Sequence, residues 1–370
     1  MTLTQVGLER LNTATTKKIG TSKNIIINGA YLIAQRGTSS TSNGYQTVDR
    51  WNHNAGGTGV TVTFSQQSTT SSDTPYQNGF SKFFRIALSG AGTANAAAYA
   101  EVLTKLEAQD IANSGWNFKS SSSNITLSFW VRPSTNQTFY GFLRSYDGSS
   151  YVYAFSFTAS GNNTWTKITK TIPGNSNLDF ANDNGTGLQL MVTPFYGTDY
   201  TNNRTLDTWA TLDTANYFPD MASTWLTAGA STFDLTGFQL ETGSVATDFE
   251  HRSLGDELFL CKRYFNMVNG GAESAAIYGI AYSGSNCHII FNYPVEMRAP
   301  ASAYLVNGTN YWAFIRYSST VDTFDTLTQN VSLDKNHMEL MGSGNLSNGG
   351  YSGIIRPMNS TARLGFDAEL

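Results

Sequence analysis

Acidic residues are the first side chains in this sequence that could do chemistry. Glycoside hydrolysis needs two carboxylates roughly 5–10 Å apart, and Asp147, Asp199 and Glu241 all lie among aromatic residues. The chain has 27 Asp and Glu in 370 residues, so such neighbourhoods arise by chance. Asp147 also precedes Gly148, a pair typical of a turn. We therefore predict a non-enzymatic protein with no catalytic residues. A glycan depolymerase is the alternative that these acidic residues leave open.

Metal ligands and nucleophiles form no known motif. The four histidines are His53, His251, His288 and His337. None stands in HExxH, in HxH or in a Cys/His cluster, so no transition-metal site is predicted. The sequence also lacks GxSxG and the phosphate-binding GxxxxGK[ST] loop. Nucleophilic and nucleotide chemistry therefore have no support.

Two further features concern cysteine and calcium. Cys261 and Cys287 are too few for a disulfide framework or a four-cysteine zinc site, so we expect two buried thiols, with a disulfide between them as the alternative. The string NDNGTG (182–187) offers oxygen ligands that suit Ca²⁺, but it lacks the 12-residue spacing and the closing Glu. We interpret it as a polar turn, with a structural calcium ion as the alternative. No other cofactor is predicted.

Composition narrows the class of protein. Lys and Arg number 23, the net charge is −4 and 14% of residues are charged, against roughly 25% in ordinary domains. Without an excess of positive charge, nucleic-acid binding is not expected. No run approaches about 18 apolar residues, and the N-terminal residues lack the apolar stretch of a secretory signal. These features favour a β-rich chain folded in a cytoplasm.

Aromatic residues are the remaining functional signal, at 13% of the chain. Sugars stack their apolar C–H faces on Trp and Tyr rings, while amides and carboxylates bind the hydroxyls. The candidate carbohydrate-binding residues lie in or beside polar segments: Tyr140, Tyr146, Tyr151, Trp165, Tyr196, Tyr200 and Trp209. For each of them, packing is the alternative role. Trp51 and Trp130 are predicted to be core residues.

The elements that must position these residues are predicted to be strands. Nine segments rich in β-branched and aromatic residues alternate with polar turns: 25–34, 59–66, 81–89, 98–106, 125–133, 151–159, 165–173, 188–196 and 233–241. Tyr151, Tyr153, Phe155 and Phe157 fall on one strand face, which is too aromatic to face solvent, so they belong to a core or a groove. With no long amphipathic helix between strands, we predict a jelly-roll sandwich over 24–250.

Two flanking regions complete the predicted organisation. Residues 1–23 form a polar leader too short to fold alone, which we expect to be an anchor that docks on another protein, with a disordered segment as the alternative. Residues 251–370 form a smaller C-terminal β-domain, of sandwich or β-prism type, that opens with a helix at 253–265. In that helix Leu254, Leu258, Cys261 and Phe265 share one face, and Ser253 is the expected N-cap.

Several strings, in order along the chain, resemble one known family: carbohydrate-binding-module-like virion proteins of marine tailed phages, especially cyanophages. They are NIIINGAYLIAQRG (24–37), YQTVDRW (45–51), ITLSFWVRP (125–133), NTWTKITKTIPG (163–174), NGTGLQL (184–190), FQLETGSVATDFEHRSLGDELFLCKRYF (238–265), YPVEMRAPA (293–301) and ARLGFDAEL (362–370). The resemblance implies a jelly roll followed by a small β-domain. It transfers no individual binding residue, because these strings are framework elements.

The function implied by this resemblance is attachment. It predicts a tail fibre or receptor-binding protein on the virion surface, commonly a homotrimer, that adheres to host surface glycans and is assembled in the host cytoplasm. Other virion proteins would bind residues 1–23. The alternative is a capsid decoration or head-fibre protein with a structural role.

Overall fold

The computed structural model describes residues 23–272, 276–316, 320–332, 334–344, 346 and 349–370. The predicted anchoring leader therefore lies outside the described residues, except for Lys23. The described part is all-β, as predicted, with a jelly-roll sandwich followed by a smaller β-structured region. The boundaries at residues 23 and 250 stay predictions. None of the described helices is long and apolar enough to span a membrane.

The N-terminal region contains fourteen of the described strands and three short helices. The strands are β1 (Ser39–Ser40), β2 (Asn52–Gly56), β3 (Val62–Ser68), β4 (Lys82–Leu88), β5 (Tyr99–Glu107), β6 (Asn124–Pro133), β7 (Thr138–Ser145), β8 (Tyr151–Thr158), β9 (Thr166–Pro173), β10 (Thr186–Tyr196), β11 (Thr201–Asn202), β12 (Trp209–Thr211), β13 (Phe218–Pro219) and β14 (Thr232–Thr242). The helices are α1 (Thr74–Gln77), α2 (Ala108–Ala112) and α3 (Thr224–Thr227). Twelve of these strands form the sandwich, and β11 and β13 form a separate two-stranded sheet.

Two six-stranded antiparallel sheets face each other. The first has the order β1-β3-β4-β14-β6-β9, and the second has the order β12-β8-β7-β10-β5-β2. Alternate residues of each strand point into the space between the sheets. Ile125, Leu127 and Phe129 of β6 are fully buried there, and Tyr153 and Phe155 of β8 meet them from the second sheet. The aromatic face predicted for β8 is therefore core.

The two tryptophans predicted to be core residues differ in burial. Trp51 is fully buried in this core, as predicted, whereas Trp130 is half-buried and points away from it, so its assignment to the core is wrong.

The predicted strand over 25–34 is also wrong. Its Asn28–Gly29 pair forms a turn, with φ of 57° at Asn28, and four of its apolar residues, Ile26, Ala30, Tyr31 and Ile33, are buried without joining a ladder. A Cβ on Gly29 would lie 2.1 Å from the Phe238 carbonyl oxygen.

The sequence patterns missed one central strand, β7 (Thr138–Ser145). Its interior Gly141 is unusual in a strand, because glycine gives no side chain to pack. Here the glycine is required: a Cβ at position 141 would lie 2.7 Å from the Phe155 ring and 2.8 Å from the Met191 carbonyl oxygen. The strand is nevertheless paired along its length with β8 and β10.

The predicted helix is α4 (Leu254–Lys262), and its N-cap is Ser253, whose Oγ accepts a hydrogen bond from the Asp256 amide at 3.1 Å. The helix is shorter than the predicted 253–265, and its predicted apolar face is wrong in part. Phe265 lies beyond the end of the helix, in the strand that follows. Leu254 is 63% exposed, while Glu257 and Cys261 are buried. Glu257 turns inward because its carboxylate accepts a hydrogen bond from the Asn28 amide of the sandwich.

The described residues of the C-terminal region form nine strands. They are β15 (Phe265–Asn269), β16 (Ile277–Ala281), β17 (Asn286–Asn292), β18 (Ser302–Val306), β19 (Trp312–Arg316), β20 (Thr320–Ser332), β21 (His337–Gly344), β22 (Tyr351–Pro357) and β23 (Arg363–Asp367). Six of them close a barrel in the order β16-β17-β21-β20-β19-β22, and β15-β23-β18 form a separate sheet. The expected sandwich or β-prism is therefore wrong in detail. Closure pairs the edges that an open sandwich would expose.

Buried charges join the sandwich to the last residues of the chain. The Arg50 guanidinium, 1% exposed, forms an ion pair with Glu369, and it lies 3.4 Å from the centroid of the Tyr264 ring. Arg36 pairs with Asp367 at 2.8 Å and with Glu369 at 3.4 Å. These contacts fix the C-terminal residues beside strand β5, whose Lys105 carbonyl also accepts a hydrogen bond from Arg50.

Candidate functional site on the outer face of the second sheet

The outer face of the second sheet carries polar and aromatic side chains together. Alternation along β5 directs Ala100 and Val102 into the core and Glu101, Leu103 and Lys105 outward. The corresponding outward residues of β7 and β10 have the same mixed character. The inner face of the sheet alone forms the hydrophobic core. Packing of the core therefore does not require polar and aromatic side chains on the outer face.

One half of this face is covered by the chain itself. The segment 197–222, which includes β11 and β13, lies over it, and Phe218 is fully buried against the sheet. The ring of Phe218 is 5.4 Å from that of Tyr140, and Tyr217 stacks on Phe142 at 5.2 Å. This half is therefore a second, smaller apolar cluster rather than a binding surface.

The other half presents a polar row across three adjacent strands. The register places Gln189 of β10 directly beside Arg144 of β7 on one side and Lys105 of β5 on the other. Tyr146 lies over this row and is half-buried. Its hydroxyl donates to the Gln189 Oε1 at 2.6 Å, and its ring centroid lies 4.3 Å from the Arg144 Cζ and 5.8 Å from the Lys105 Nζ.

A carboxylate lies near the row. Glu101 accepts a hydrogen bond from the Asn54 side-chain amide at 2.9 Å and another from the Tyr196 hydroxyl. Burial raises the pKa of Glu101, and these two hydrogen bonds oppose that rise. Burial and the neighbouring Glu101 carboxylate raise the pKa of Tyr196 well above its ordinary value, so its hydroxyl remains a donor. Glu101 is thus committed to a fixed hydrogen-bond network.

The two cations of the row differ in their partners. Lys105 Nζ donates to the main-chain oxygen of Leu370 at 3.1 Å. Burial lowers the pKa of Lys105, and the positive charges of Arg144, Arg298 and Arg50 lower it further. Arg144 has no hydrogen-bond or ion-pair partner among the described residues, and its Nε is buried and unsatisfied. The Arg144 guanidinium instead lies over the Tyr146 ring.

The structure brings four of the seven predicted aromatic residues to this face. Tyr140, Tyr196 and Tyr200 lie in or against the covered apolar cluster, so only Tyr146 belongs to the open half. The remaining three lie elsewhere: Tyr151 and Trp209 pack in the main core, and Trp165 is buried on the first sheet, where its Nε1 donates to Asp73 at 2.8 Å. A binding role for all seven stays a prediction.

Sequence reasoning missed the polar members of the row. Lys105 and Glu101 were visible as alternating polar positions in AYAEVLTKL, and Gln189 was visible in LQLMV. Arg144 could not be placed because the strand β7 was not predicted. An alternation of polar and apolar residues marks a strand whose outer face is not packed.

The three acidic residues singled out in the sequence do not lie on this row. Asp147 accepts a hydrogen bond from the Ala181 amide at 2.9 Å, which fits its predicted role in a turn. Glu241 is buried on the first sheet, where it accepts from the Thr247 amide at 2.9 Å. Asp199 is exposed in the loop after β10. Within the described residues, no group of three or more His, Cys, Asp and Glu side chains could hold a metal ion.

Residues 182–187 form hydrogen bonds of a turn. Asp183 Oδ1 accepts from the Gly185 amide at 2.9 Å, and the Asp183 carbonyl accepts from the Gln109 amide at 2.9 Å. Asn182 Oδ1 accepts from the Asn113 side chain at 2.8 Å. The calcium alternative stays a prediction.

Both cysteines are free and buried, so the expected thiols are confirmed.

Comparison with known proteins gives weak likenesses only. No protein-family model and no curated protein matches the chain. Among solved structures, it is similar to the enzymatically active domain of tailspike protein 4 from bacteriophage CBA120, with 12% identity and a TM-score of 0.32 over 60% of this chain and 21% of that one. A CBM61 module in complex with β-1,4-galactotriose gives 9% identity and a TM-score of 0.31, over 60% of this chain and all of that one. The N-terminal cellulose-binding domain of Cellulomonas fimi β-1,4-glucanase C gives 13% identity and a TM-score of 0.28, over 58% of this chain and 99% of that one. Likenesses at these TM-scores carry no argument about what this chain binds.

Proposed function

We propose that this chain is a non-catalytic glycan-binding protein whose binding surface is the open half of the outer face of the second sheet. The observation that carries the proposal is the half-buried Tyr146 ring beside a row of hydrogen-bonding side chains, Arg144, Gln189 and Lys105. An aromatic floor with a few fixed polar groups is the usual composition of a small-molecule site. A sugar ring stacks on the tyrosine while its hydroxyls bond the row.

Adhesion without turnover is supported by the state of the acidic group at this face. Glu101 is held by the Tyr196 hydroxyl and the Asn54 amide, so its oxygens serve an existing network. A hydrolase needs a second carboxylate on the opposite side of the sugar. Of the three sequence candidates for that role, Asp147 belongs to a turn, Glu241 belongs to the other sheet, and Asp199 is exposed in the loop after β10.

The biological setting of the proposal rests on the sequence resemblance. We place the chain on a phage particle as a tail fibre or receptor-binding protein, with host surface glycans as ligands, virion proteins bound through residues 1–23 and a homotrimeric assembly. Cryo-electron microscopy of the particle tests this placement. Density at the tail in small multiples of three is expected, and copies distributed over the icosahedral shell would contradict it.

A second candidate function, a structural role on the particle, is favoured by one feature of the barrel. Its outer surface exposes Tyr278 and Ile280 of β16, at 83% and 59%, Tyr282 just after that strand, at 76%, and Ile290 on the neighbouring β17, at 64%. Contiguous exposed apolar residues of this kind are typical of protein-contact surfaces. A capsid decoration or head-fibre protein would use such a surface without any glycan.

A glycan array followed by calorimetric titration of the best oligosaccharides tests the primary proposal. The Tyr146→Ala variant is expected to bind at least about tenfold more weakly, which corresponds to about 1.4 kcal/mol. Tyr278→Ala is the matched control, because it removes an exposed tyrosine from the barrel. Circular dichroism checks that both variants fold. Equal affinity of Tyr146→Ala and the wild type would refute the assignment, and release of shorter sugars during incubation would restore the depolymerase hypothesis.

A further inference from the structure

We propose that the glycan recognised at this face is acidic, and that its anionic group, a uronate carboxylate or a sulfate ester, is bound between Arg144 and Lys105. This inference rests on the glycan-binding function proposed above and names its ligand class. The observation behind it is the Arg144 side chain, which has a buried, unsatisfied Nε and no hydrogen bond or ion pair among the described residues.

Four of the described arginines have a buried Nε without a hydrogen bond: Arg50, Arg144, Arg204 and Arg316. Arg50 and Arg316 form ion pairs with carboxylates, and Arg204 donates to main-chain carbonyls. Among the described residues, Arg144 has neither kind of partner, and its guanidinium lies over the Tyr146 ring, 4.3 Å from the centroid. A buried guanidinium nitrogen without a hydrogen bond carries a desolvation cost that a ligand oxygen removes.

The geometry of the row suits one anionic group. Arg144 and Lys105 flank Gln189 on neighbouring strands, so their backbones are about 10 Å apart, two strand spacings. Their long side chains converge from the two sides on the position above Gln189, where Tyr146 also lies. A planar carboxylate or a sulfate takes two parallel hydrogen bonds from a guanidinium, which a neutral hydroxyl cannot do.

Several cationic side chains lie close together at this face although the chain as a whole is negative. Burial lowers the pKa of Lys105, and the charges of Arg144, Arg298 and Arg50 lower it further. Arg50 is paired with Glu369, whereas Arg144, Lys105 and Arg298 form no ion pair with a carboxylate side chain among the described residues. The nearby acid, Glu101, is held by Asn54 and Tyr196. With a net charge of −4, the protein has no general excess of cations that would account for this cluster. The cluster is therefore specific to this face.

The Tyr146 ring makes a sugar a better occupant than a free anion. It sits within 6 Å of both cationic groups, so a pyranose that stacks on it brings a substituent within reach of Arg144. Tyr217, half-buried on the covering segment, lies close enough for its pKa to be affected by Arg144 and Glu101. An inorganic anion would use the cations and leave the ring unused.

Calorimetric titration with matched ligands tests the inference. The probes are tetragalacturonic acid, its fully methyl-esterified form, a sulfated galactan oligosaccharide with its desulfated parent, and inorganic sulfate. We expect at least tenfold tighter binding of one acidic oligosaccharide than of its neutral counterpart, with affinity that falls as salt rises. The pair that shows this preference identifies carboxylate or sulfate as the anionic group.

Variants separate this inference from the proposed function. Arg144→Gln is expected to abolish the preference for the acidic ligand while it retains binding of the neutral one, and Arg144→Lys is expected to restore part of it. Arg356→Gln on the barrel is the matched control, and it should leave the preference unchanged. Equal binding of acidic and neutral forms by the wild type would overturn the inference but leave glycan binding intact. Binding of inorganic sulfate as tight as that of the sulfated sugar would also overturn it.

Discussion

Removal of the Glu369 carboxylate is expected to destabilise the protein strongly. Glu369 is 4% exposed and pairs with Arg50, which is 1% exposed, and with Arg36, which is 2% exposed. In the Glu369→Ala variant, the Arg50 guanidinium stays buried on the Tyr264 ring without its acidic partner. Its remaining hydrogen bond, to the Lys105 carbonyl, does not neutralise the charge.

The magnitude follows from the burial of both groups. Breaking a buried ion pair by removal of one partner costs about 3–5 kcal/mol, because the remaining charge loses its compensation. The exposed pair Lys119–Asp179, with an N–O distance of 3.2 Å and side chains 56% and 60% exposed, gives the contrast. Such a surface pair contributes at most about 1 kcal/mol. Asp179→Ala is therefore the matched control variant.

Urea unfolding followed by circular dichroism measures both effects on the free energy of unfolding. The double variant Arg50→Met/Glu369→Leu is expected to recover most of the loss, since an apolar pair removes the buried charge as well as its partner. A Glu369→Ala variant no less stable than Asp179→Ala would refute the reasoning. It would mean that Arg50 is solvated or paired differently from the structure.

Three further predictions concern titration, thiol reactivity and calcium. Burial lowers the pKa of His53 to about 4 from 6.5, so the unfolded chain binds this proton more readily. Neutral His53 therefore contributes its full stability above pH 6.5, and this contribution is lost as the pH falls towards 4. In urea unfolding over this pH range, the free energy of unfolding is expected to fall by about 3 kcal/mol relative to that of His53→Phe. Burial raises the pKa of the Cys261 and Cys287 thiols, so neither is expected to react with a thiol reagent until the protein unfolds; labelling of the native protein would contradict this. Because the side-chain oxygens of 182–187 named above already accept hydrogen bonds, chelation with EDTA is expected to leave the melting temperature unchanged, and a lowered value would establish the calcium alternative.

Patterns that depend on burial were predictable from the sequence. The alternation in β6 and the aromatic face of β8 placed their residues in the core correctly, because successive side chains of a strand point to opposite faces of the sheet. The Ser253 N-cap was also predictable, since the side-chain oxygen of a cap satisfies a free amide. The segment 25–34 failed for a related reason. Its composition signals burial, which it achieves in a turn held by Asn28 rather than in a ladder.

The candidate site was less accessible to prediction. The seven aromatic residues were chosen for their position beside polar segments, and tertiary structure sorts them among two cores and two sheet faces. The covering segment 197–222 decides that Tyr196 is hidden while Tyr146 is not. Arg144 and Lys105 are 39 positions apart in sequence and meet only through the register of β10. Long-range register of this kind has no local signal.

A crystal structure of the protein with the tightest-binding oligosaccharide from the array tests the proposed binding surface most directly. We expect a sugar ring stacked on Tyr146, with hydrogen bonds to Gln189 and to Arg144 or Lys105. Density for the sugar elsewhere would contradict the proposed binding surface. One such place is the open concavity of about 760 Å³ that is lined by residues from Thr41 to Ser89, and the barrel surface at Tyr278 is another.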